Sequence, residues 1–216
     1  MSRKIGQSSS IAPDFKREAV LWQMGLSAVA GVDEVGRGPL AGPVMAGAVV
    51  FPAHASYSWL KEVRDSKLLS AGKRNVLARL IRESAEAGMG IVAPADVDEM
   101  GISKATQEAM LMAVGALPRA SEYILVDGFP MSPCPLPQEA IIKGDVVCLS
   151  IACASIVAKV ERDALMEEMD ALYPGYGFAH NKGYATEEHC AALARFGPCP
   201  IHRRSFAPVK ALLKDL

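Results

Sequence analysis

The sequence has no large excess of charge of either sign. Its 216 residues contain 23 Lys and Arg against 24 Asp and Glu, which gives a formal net charge of -1. A protein that binds nucleic acid through bulk charge needs a strongly basic surface, so this composition excludes that class. A local basic groove is still compatible with it.

Long apolar runs are also absent. The longest lies at 146–158 and is much shorter than the ~20 residues that a membrane-spanning helix requires. Residues 1–12 are polar and rich in serine, without the apolar stretch of a targeting signal, so we expect a loose tail there. We therefore expect a cytoplasmic protein with no membrane association.

None of the five cysteines belongs to a Cys-x-x-Cys pair, which favours reduced thiols in a cytoplasmic protein. A zinc site is the alternative, because four potential ligands occur near the C-terminus: His189, Cys190, Cys199 and His202. Cys199 and His202 have the spacing of zinc ligands, but the rest of the set fits no standard pattern. Zinc is the weaker interpretation.

What the sequence does contain is a distinctive segment between two apolar runs. It begins at Gly31 and reads Gly-Val-Asp-Glu-Val-Gly-Arg-Gly-Pro-Leu-Ala-Gly-Pro-Val. The runs at 28–32 and 44–51 predict strands, and the Gly/Pro cluster between them predicts a sharp reversal. Asp33 and Glu34 then lie at the mouth of a buried strand, which is costly unless a cation meets them. A solvated strand end is the alternative.

The rest of the chain alternates strand and helix patterns. Further strands are predicted at 89–93, 122–128 and 140–143, and helices at 73–87, from 96, at 103–117, 148–173 and 186–196, and from 208. The charged second half of the longest helix is expected to be exposed. Three consecutive strands followed by strands separated by helices predict an α/β fold with a mixed five-stranded sheet: an antiparallel meander plus parallel strands. We expect one domain at 28–216, preceded by a tail and lead-in at 1–27.

Four carboxylates lie at the ends of three apolar segments: Asp33 and Glu34 together, Asp127 and Asp145. Asp145 alone suits a helix cap and Asp127 an ordinary turn, but strand ends in an α/β sheet gather at one edge, where ligands bind. A shared charge of about -4 would repel strongly.

Divalent cations would neutralise that charge, and oxygen ligands favour Mg²⁺ or Mn²⁺. Two such ions activate a water and stabilise a leaving oxygen at phosphorus. Because neighbouring strand residues point to opposite faces, we expect a bulge or twist to redirect either Asp33 or Glu34.

Other residues suit contacts with a phosphate or sugar. Gly36, Arg37 and Gly38 form no Walker loop, but the two glycines allow the backbone to approach a ligand; a plain hairpin turn is the alternative. Ser66 and Lys67 suit a phosphate contact. A basic stretch interleaved with rings suggests a nucleic-acid face, with a solvated surface as the alternative; its residues are His180, Lys182, Tyr184, Arg195, His202, Arg203, Arg204 and Lys210.

In combination these motifs resemble bacterial ribonuclease HII, of the type 2 ribonuclease H family, over roughly 29–209. Besides the segment from Gly31, the markers are Asp-Ser-Lys from Asp65, Val-Asp-Gly from Val126, Lys-Gly-Asp from Lys143, Ala-Ser-Ile-Val-Ala-Lys-Val-x-Arg-Asp from Ala154, Tyr-Gly-Phe from Tyr176, His-x-Lys-Gly-Tyr from His180 and His-Arg-Arg-Ser-Phe from His202. The resemblance implies an RNase H-like fold with a C-terminal helical segment.

The resemblance also implies a metal-dependent endonuclease, acting as a monomer, that uses two Mg²⁺ or Mn²⁺ ions. Its substrates would be RNA–DNA hybrids and duplex DNA with single embedded ribonucleotides, cut to leave a 3′-hydroxyl and a 5′-phosphate. The implied metal ligands are Asp33, Glu34, Asp127 and Asp145. The implied substrate contacts are Gly36, Arg37 and Gly38, which sense the 2′-hydroxyl, and Tyr184, which stacks on the sugar at the RNA–DNA junction.

Two positions depart from the family pattern. The family usually has a second lysine where this chain has Leu68, and a serine where it has Val146. Both changes affect expected phosphate contacts or hydrogen bonding beside Asp145, and neither removes a carboxylate. The rival functions are a DNA-junction nuclease on the same fold and a hybrid-binding module without catalysis.

Overall fold

The computed structural model describes residues 12–213, so residues 1–11 of the expected tail lie outside the described residues. One five-stranded sheet forms the centre, in the order β3-β2-β1-β4-β5. Its strands are β1 (Val29–Val35), β2 (Val44–Val50), β3 (Glu86–Val92), β4 (Tyr123–Asp127) and β5 (Gln138–Ile141).

The pairing confirms the predicted mixed sheet. β1 pairs antiparallel with β2, and β2 with β3, whereas β1 with β4 and β4 with β5 are parallel. The third strand begins at Glu86, three residues before the predicted start, and continues through Gly88. Glycine does not interrupt the strand there, because its lack of a side chain allows close packing against a helix.

Helices cover both faces of the sheet. They are α1 (Lys16–Gln23), α2 (Ala71–Ser84), α3 (Pro94–Met100), α4 (Ile102–Gly115), α5 (Gly144–Val147), α6 (Leu149–Leu172), α7 (Phe178–Asn181), α8 (Glu187–Phe196) and α9 (Ala207–Leu212). Six agree with the sequence prediction, and Thr186 caps the start of α8, since its hydroxyl accepts the His189 N–H. The sequence did not predict α1, α5 or α7. In the part of the chain described, no helix combines the length and apolar character needed to cross a membrane.

Two hydrophobic cores lie on opposite sides of the sheet. One contains residues of α1, α2 and α6, and the other contains residues of α3 and α4. Glycines in the strands let helices pack very close to the backbone. A Cβ on Gly31 would lie 2.2 Å from the Ser150 carbonyl carbon of α6, and one on Gly90 would lie 1.9 Å from the Ala109 oxygen of α4.

Helix α1 stabilises the start of α6. The carboxylate of Glu18, which is 1% exposed, accepts the Ser150 N–H at 2.9 Å and faces the Cys148 thiol at 3.2 Å. It therefore satisfies one of the N–H groups that a helix leaves free in its first turn. Leu21 and Trp22 anchor α1 in the core. The lead-in is thus a structural element that holds α6 in register with β1.

We predict that Gly31→Ala destabilises the protein by about 2–3 kcal/mol, because the new methyl group would overlap backbone atoms of α6 that have little freedom to move. The measurement is the free energy of unfolding in denaturant. Gly72→Ala is the matched control, since nothing lies within 4 Å of a Cβ at Gly72 in the first turn of α2. We expect the control to be neutral or up to about 1 kcal/mol stabilising. Equal effects at both positions would contradict the packing explanation.

Candidate active site

The carboxyl ends of β1 and β4 bring acidic side chains together. Carboxylate oxygens of Asp33, Glu34 and Asp127 lie within 4.8 Å of one another. The parallel pairing of β1 with β4 aligns Val32 with Val126, so the next residue of each strand is an aspartate. Asp145, in the first turn of α5, lines the same cleft and is 8% exposed. The structure therefore places all four predicted carboxylates in one site.

Asp33 and Glu34 reach this site without a bulge. β1 pairs with β2 in continuous register from Ala30 to Val35, so of the expected bulge or twist, the bulge is absent from these residues. Glu34 also lines a neighbouring cavity on the α4 side, whereas Asp33 faces the cleft beside α6. Since β4 ends at Asp127, side chains that leave opposite faces of β1 come together beyond the end of β4.

Burial and mutual repulsion disfavour ionisation of these acids. Burial is the main cause that raises the pKa of Asp33 well above its ordinary value, and the negative charge of Glu34 adds to it. Burial likewise raises the pKa of Asp127 and of Asp145, although the Gly144 N–H donates to Asp127 Oδ1 at 2.6 Å and opposes the effect there. Without a cation, the site is electrostatically strained when its acids are charged.

The nearby basic side chains compensate this charge only in part. Lys67 Nζ lies 3.9 Å from Asp145 Oδ2, and Arg37 Nη1 lies 3.4 Å from Glu34 Oε1. The Lys67 side chain is 78% exposed and that of Arg37 is 45% exposed. Burial alone would lower the pKa of Lys67, but the surrounding carboxylates together outweigh it and raise that pKa. Crowded, buried, oxygen-only ligands with too little positive charge fit divalent cations of the Mg²⁺ and Mn²⁺ type.

The predicted substrate contacts line the same cleft. Gly36, with φ of +86°, begins the turn after β1, and Arg37 and Gly38 follow it. Tyr184 is 44% exposed, and its ring lies 3.7 Å from the position of a Cβ on Gly38. These groups form one wall beside the acids.

The opposite wall contains Ser66 and Lys67. The Ser66 hydroxyl is buried and lies 3.0 Å from the Ser155 hydroxyl of α6, so it fixes this wall to the helix. Lys67 and Leu68 are exposed beside it, and the departure at Leu68 therefore places an apolar side chain, 74% exposed, where the family usually has a lysine.

The proposed basic face is only partly present. Arg195, Arg204 and Lys210 are exposed, but Lys182 pairs with Glu167 at 2.7 Å, and Arg203 and His202 are buried.

The expected exposure of the second half of α6 is also wrong at Arg162, which is fully buried. Helical spacing could have predicted this burial. Arg162 lies four residues from Ala158 and four from Met166, so it shares the helix face of these two buried residues.

The zinc alternative is not supported by the residues at 12–213. His189 Nε2 lies 3.1 Å from His202 Nε2, His189 Nδ1 lies 2.8 Å from the Tyr184 carbonyl, and His202 Nδ1 accepts the Cys199 N–H at 3.0 Å. Every ring nitrogen is thus engaged, and Cys190 is exposed. Burial first, and His189 second, lower the pKa of His202 to about 4, so the pair is neutral at pH 7.

Comparison with known proteins gives a consistent result. The model of the ribonuclease HII family matches residues 30–209. Ribonuclease HII of Geobacter metallireducens is 52% identical over 194 residues, covering 89% of this chain and 90% of the relative. Ribonuclease HII of Dehalococcoides mccartyi is 46% identical over 205 residues, covering 94% and 97%. The crystal structure of ribonuclease H2 from Pyrococcus horikoshii OT3 matches with a TM-score of 0.73 at 26% identity, covering 87% of this chain and 97% of that chain.

We predict that Asp33→Asn stabilises the metal-free protein by about 1 kcal/mol, or roughly 2–4 °C in Tm. The pKa of Asp33 is raised on folding, so its charged form opposes folding, and this penalty grows as pH rises through that raised pKa. The difference between variant and wild type should therefore be present at pH 8 and shrink in acid. Thermal unfolding in EDTA at both pH values measures it.

The matched control for this prediction is Glu83→Gln, at an exposed position of α2, which also removes one negative charge. Its effect should stay within about 0.5 kcal/mol at either pH. A less stable Asp33→Asn protein at pH 8 would contradict the repulsion argument.

Proposed function

Since the chain belongs to the ribonuclease HII family, and is a ribonuclease H that cleaves the RNA strand of RNA–DNA hybrids, we propose that it also cuts 5′ of single ribonucleotides embedded in duplex DNA. It depends on two Mg²⁺ or Mn²⁺ ions and leaves a 3′-hydroxyl and a 5′-phosphate. The protein works in the cytoplasm as a monomer, through the catalytic domain at 28–216. Its five free cysteines are consistent with that compartment.

The observation that carries the proposal is the convergence of the Asp33, Glu34 and Asp127 carboxylates within 4.8 Å of one another, with buried Asp145 in the same cleft. These four residues would hold the ions. When bound, the ions supply an activated water and stabilise the leaving oxygen during displacement at phosphorus.

The chain's own residues bind and orient the nucleic acid around this centre. Lys67, whose ammonium group is held near the acids yet exposed, offers a cation to a backbone phosphate. On the opposite wall, backbone groups of Gly36, Arg37 and Gly38 approach the 2′-hydroxyl, the group that separates ribose from deoxyribose. Tyr184, next to Gly38, packs on the neighbouring sugar.

The test of this function compares three duplexes of one sequence: a full RNA–DNA hybrid, DNA with a single ribonucleotide, and all DNA. We expect Mg²⁺- or Mn²⁺-dependent cleavage of the first two and none of the third. In Asp33→Asn, cleavage should fall by more than about ten-fold, equivalent to 1.4 kcal/mol of barrier. Cutting of all-DNA duplexes would indicate a DNA-junction nuclease, and binding without cleavage would indicate a non-catalytic module.

We predict that Tyr184→Ala lowers kcat/KM on the single embedded ribonucleotide more than on the long hybrid, by about three-fold or more in their ratio. The ring favours a deoxyribose next to the ribose, where a second 2′-hydroxyl would crowd it. Tyr184→Phe is the control, because it keeps the ring and should keep the ratio. An unchanged ratio in Tyr184→Ala would mean that Tyr184 only helps to hold the duplex.

A further inference from the structure

Two fully buried arginines lie beneath the loop that follows β1. Arg162 and Arg203 are both 0% exposed, and neither pairs with a carboxylate among residues 12–213. Instead they bind backbone carbonyls. Arg162 donates to the oxygens of Pro43 at 3.1 Å, Lys182 at 3.0 Å and Ala41 at 3.2 Å.

Arg203 binds the part of the loop nearest the acids. Its Nη2 donates to the Gly36 carbonyl at 2.6 Å, its Nη1 to the Arg37 carbonyl at 3.0 Å, and its Nε to the Gly42 carbonyl at 3.0 Å. The Phe206 ring packs against the guanidinium carbon at 5.1 Å. Burying a charge is costly unless it is fully hydrogen-bonded, and here three carbonyl dipoles provide the bonds. Burial lowers the pKa of Arg203 to about 10, which leaves it charged at pH 7.

The two carbonyls that Arg203 holds determine where two amide groups point. A trans peptide is planar, so the C=O of one residue and the N–H of the next point in opposite directions. Fixing the Gly36 and Arg37 carbonyls inward therefore turns the N–H groups of Arg37 and Gly38 away from Arg203. Within residues 12–213, neither N–H donates to another backbone or side-chain acceptor, and both residues are exposed in the cleft.

We propose that Arg203 is a positioning residue for ribose recognition: its guanidinium locks the peptides at 36–38 so that their N–H groups meet the 2′-oxygen. This inference rests on the proposed function, because that function places the loop at 36–38 against the ribose, and the inference explains what holds the loop in shape. A 2′-oxygen accepts such bonds, whereas a deoxyribose offers no acceptor there. The preference for ribose then depends on how firmly the two peptides are held.

The geometry of the guanidinium, rather than its charge, is what matters. Three N–H groups on a rigid plane reach three separate carbonyls, which a lysine ammonium, a compact point charge, does not reproduce. Arg203→Lys therefore keeps the charge and loosens the peptides. Arg74→Lys is the matched control: Arg74 also donates to two carbonyls, those of Ser66 and Leu69, but on the opposite wall of the same cleft.

The experiment measures dissociation constants for two duplexes that differ in one 2′-oxygen, DNA with a single ribonucleotide and the same sequence in all DNA. Ca²⁺ replaces the catalytic ion, since its looser coordination supports binding without the strict octahedron that cleavage needs. The readout is the ratio of the two constants. A partly unfolded sample lowers both apparent affinities alike and leaves this ratio unchanged, so a merely structural role would not move it.

In Arg203→Lys we expect the ribose preference to fall by about five- to ten-fold, as for the loss of one or two hydrogen bonds, with little change in affinity for the all-DNA duplex. In Arg74→Lys both affinities should change alike. A folded Arg203→Lys protein with the wild-type ratio would overturn the proposal. A wild-type protein that cleaves at a single ribonucleotide yet shows no ribose preference in binding would also overturn it, whereas a wild-type protein that does not cleave there would refute the proposed function instead.

If Arg203→Lys does not fold, Phe206→Leu is the variant that tests the positioning role of Arg203. This variant keeps the guanidinium but removes the aromatic face that packs against it, and Phe206 is only partly buried. A ratio at least about two-fold below wild type would support the positioning role, because a weakly held guanidinium holds the peptides weakly. A wild-type ratio would overturn it.

Discussion

Repulsion among the carboxylates at the ends of β1 and β4 is the constraint on which the rest of the structure depends. Burial and neighbouring negative charge raise the pKa of Asp33, so the fold must hold a charged acid where the chain alone would avoid it. The packing behind the site supplies the needed stability. Gly31 brings α6 against β1, and Glu18 satisfies the start of that helix. The scaffold is therefore rigid enough to hold the carboxylates together against their mutual repulsion.

The two walls of the cleft are held by the same device. On one side Arg74 donates to the carbonyls of Ser66 and Leu69, and on the other Arg203 donates to those of Gly36, Arg37 and Gly42. Arginine suits this task because its planar donors reach several carbonyls at once. Loops without regular hydrogen bonding thereby obtain fixed shapes, which the proposed recognition of a single oxygen atom would require.

Much of the fold could be predicted from the sequence, since strands and long helices leave a periodic pattern. The four carboxylates could also be found, because each ends an apolar segment. Three kinds of feature could not. Helices as short as α5 and α7 show no period, the meeting of Asp33 with Glu34 depends on where β4 ends, and the burial of Arg203 depends on tertiary contacts. A basic residue near other basic residues predicts a surface. The burial of Arg162 and Arg203 is explained by six backbone carbonyls, five of the loop at 36–43 and that of Lys182.

The buried arginines also explain how a chain of net charge -1 can present a surface suited to nucleic acid. Carbonyl dipoles satisfy Arg162 and Arg203 without cancelling their charge, so two positive charges remain beneath the wall that the proposed function places against the substrate. The acids beside them repel phosphate, and bound divalent cations would reverse the local sign. On the proposed function, affinity for a nucleic acid backbone would therefore depend on occupation of the metal site. The net charge of the whole chain reveals neither the buried positive charges nor the cluster of acids.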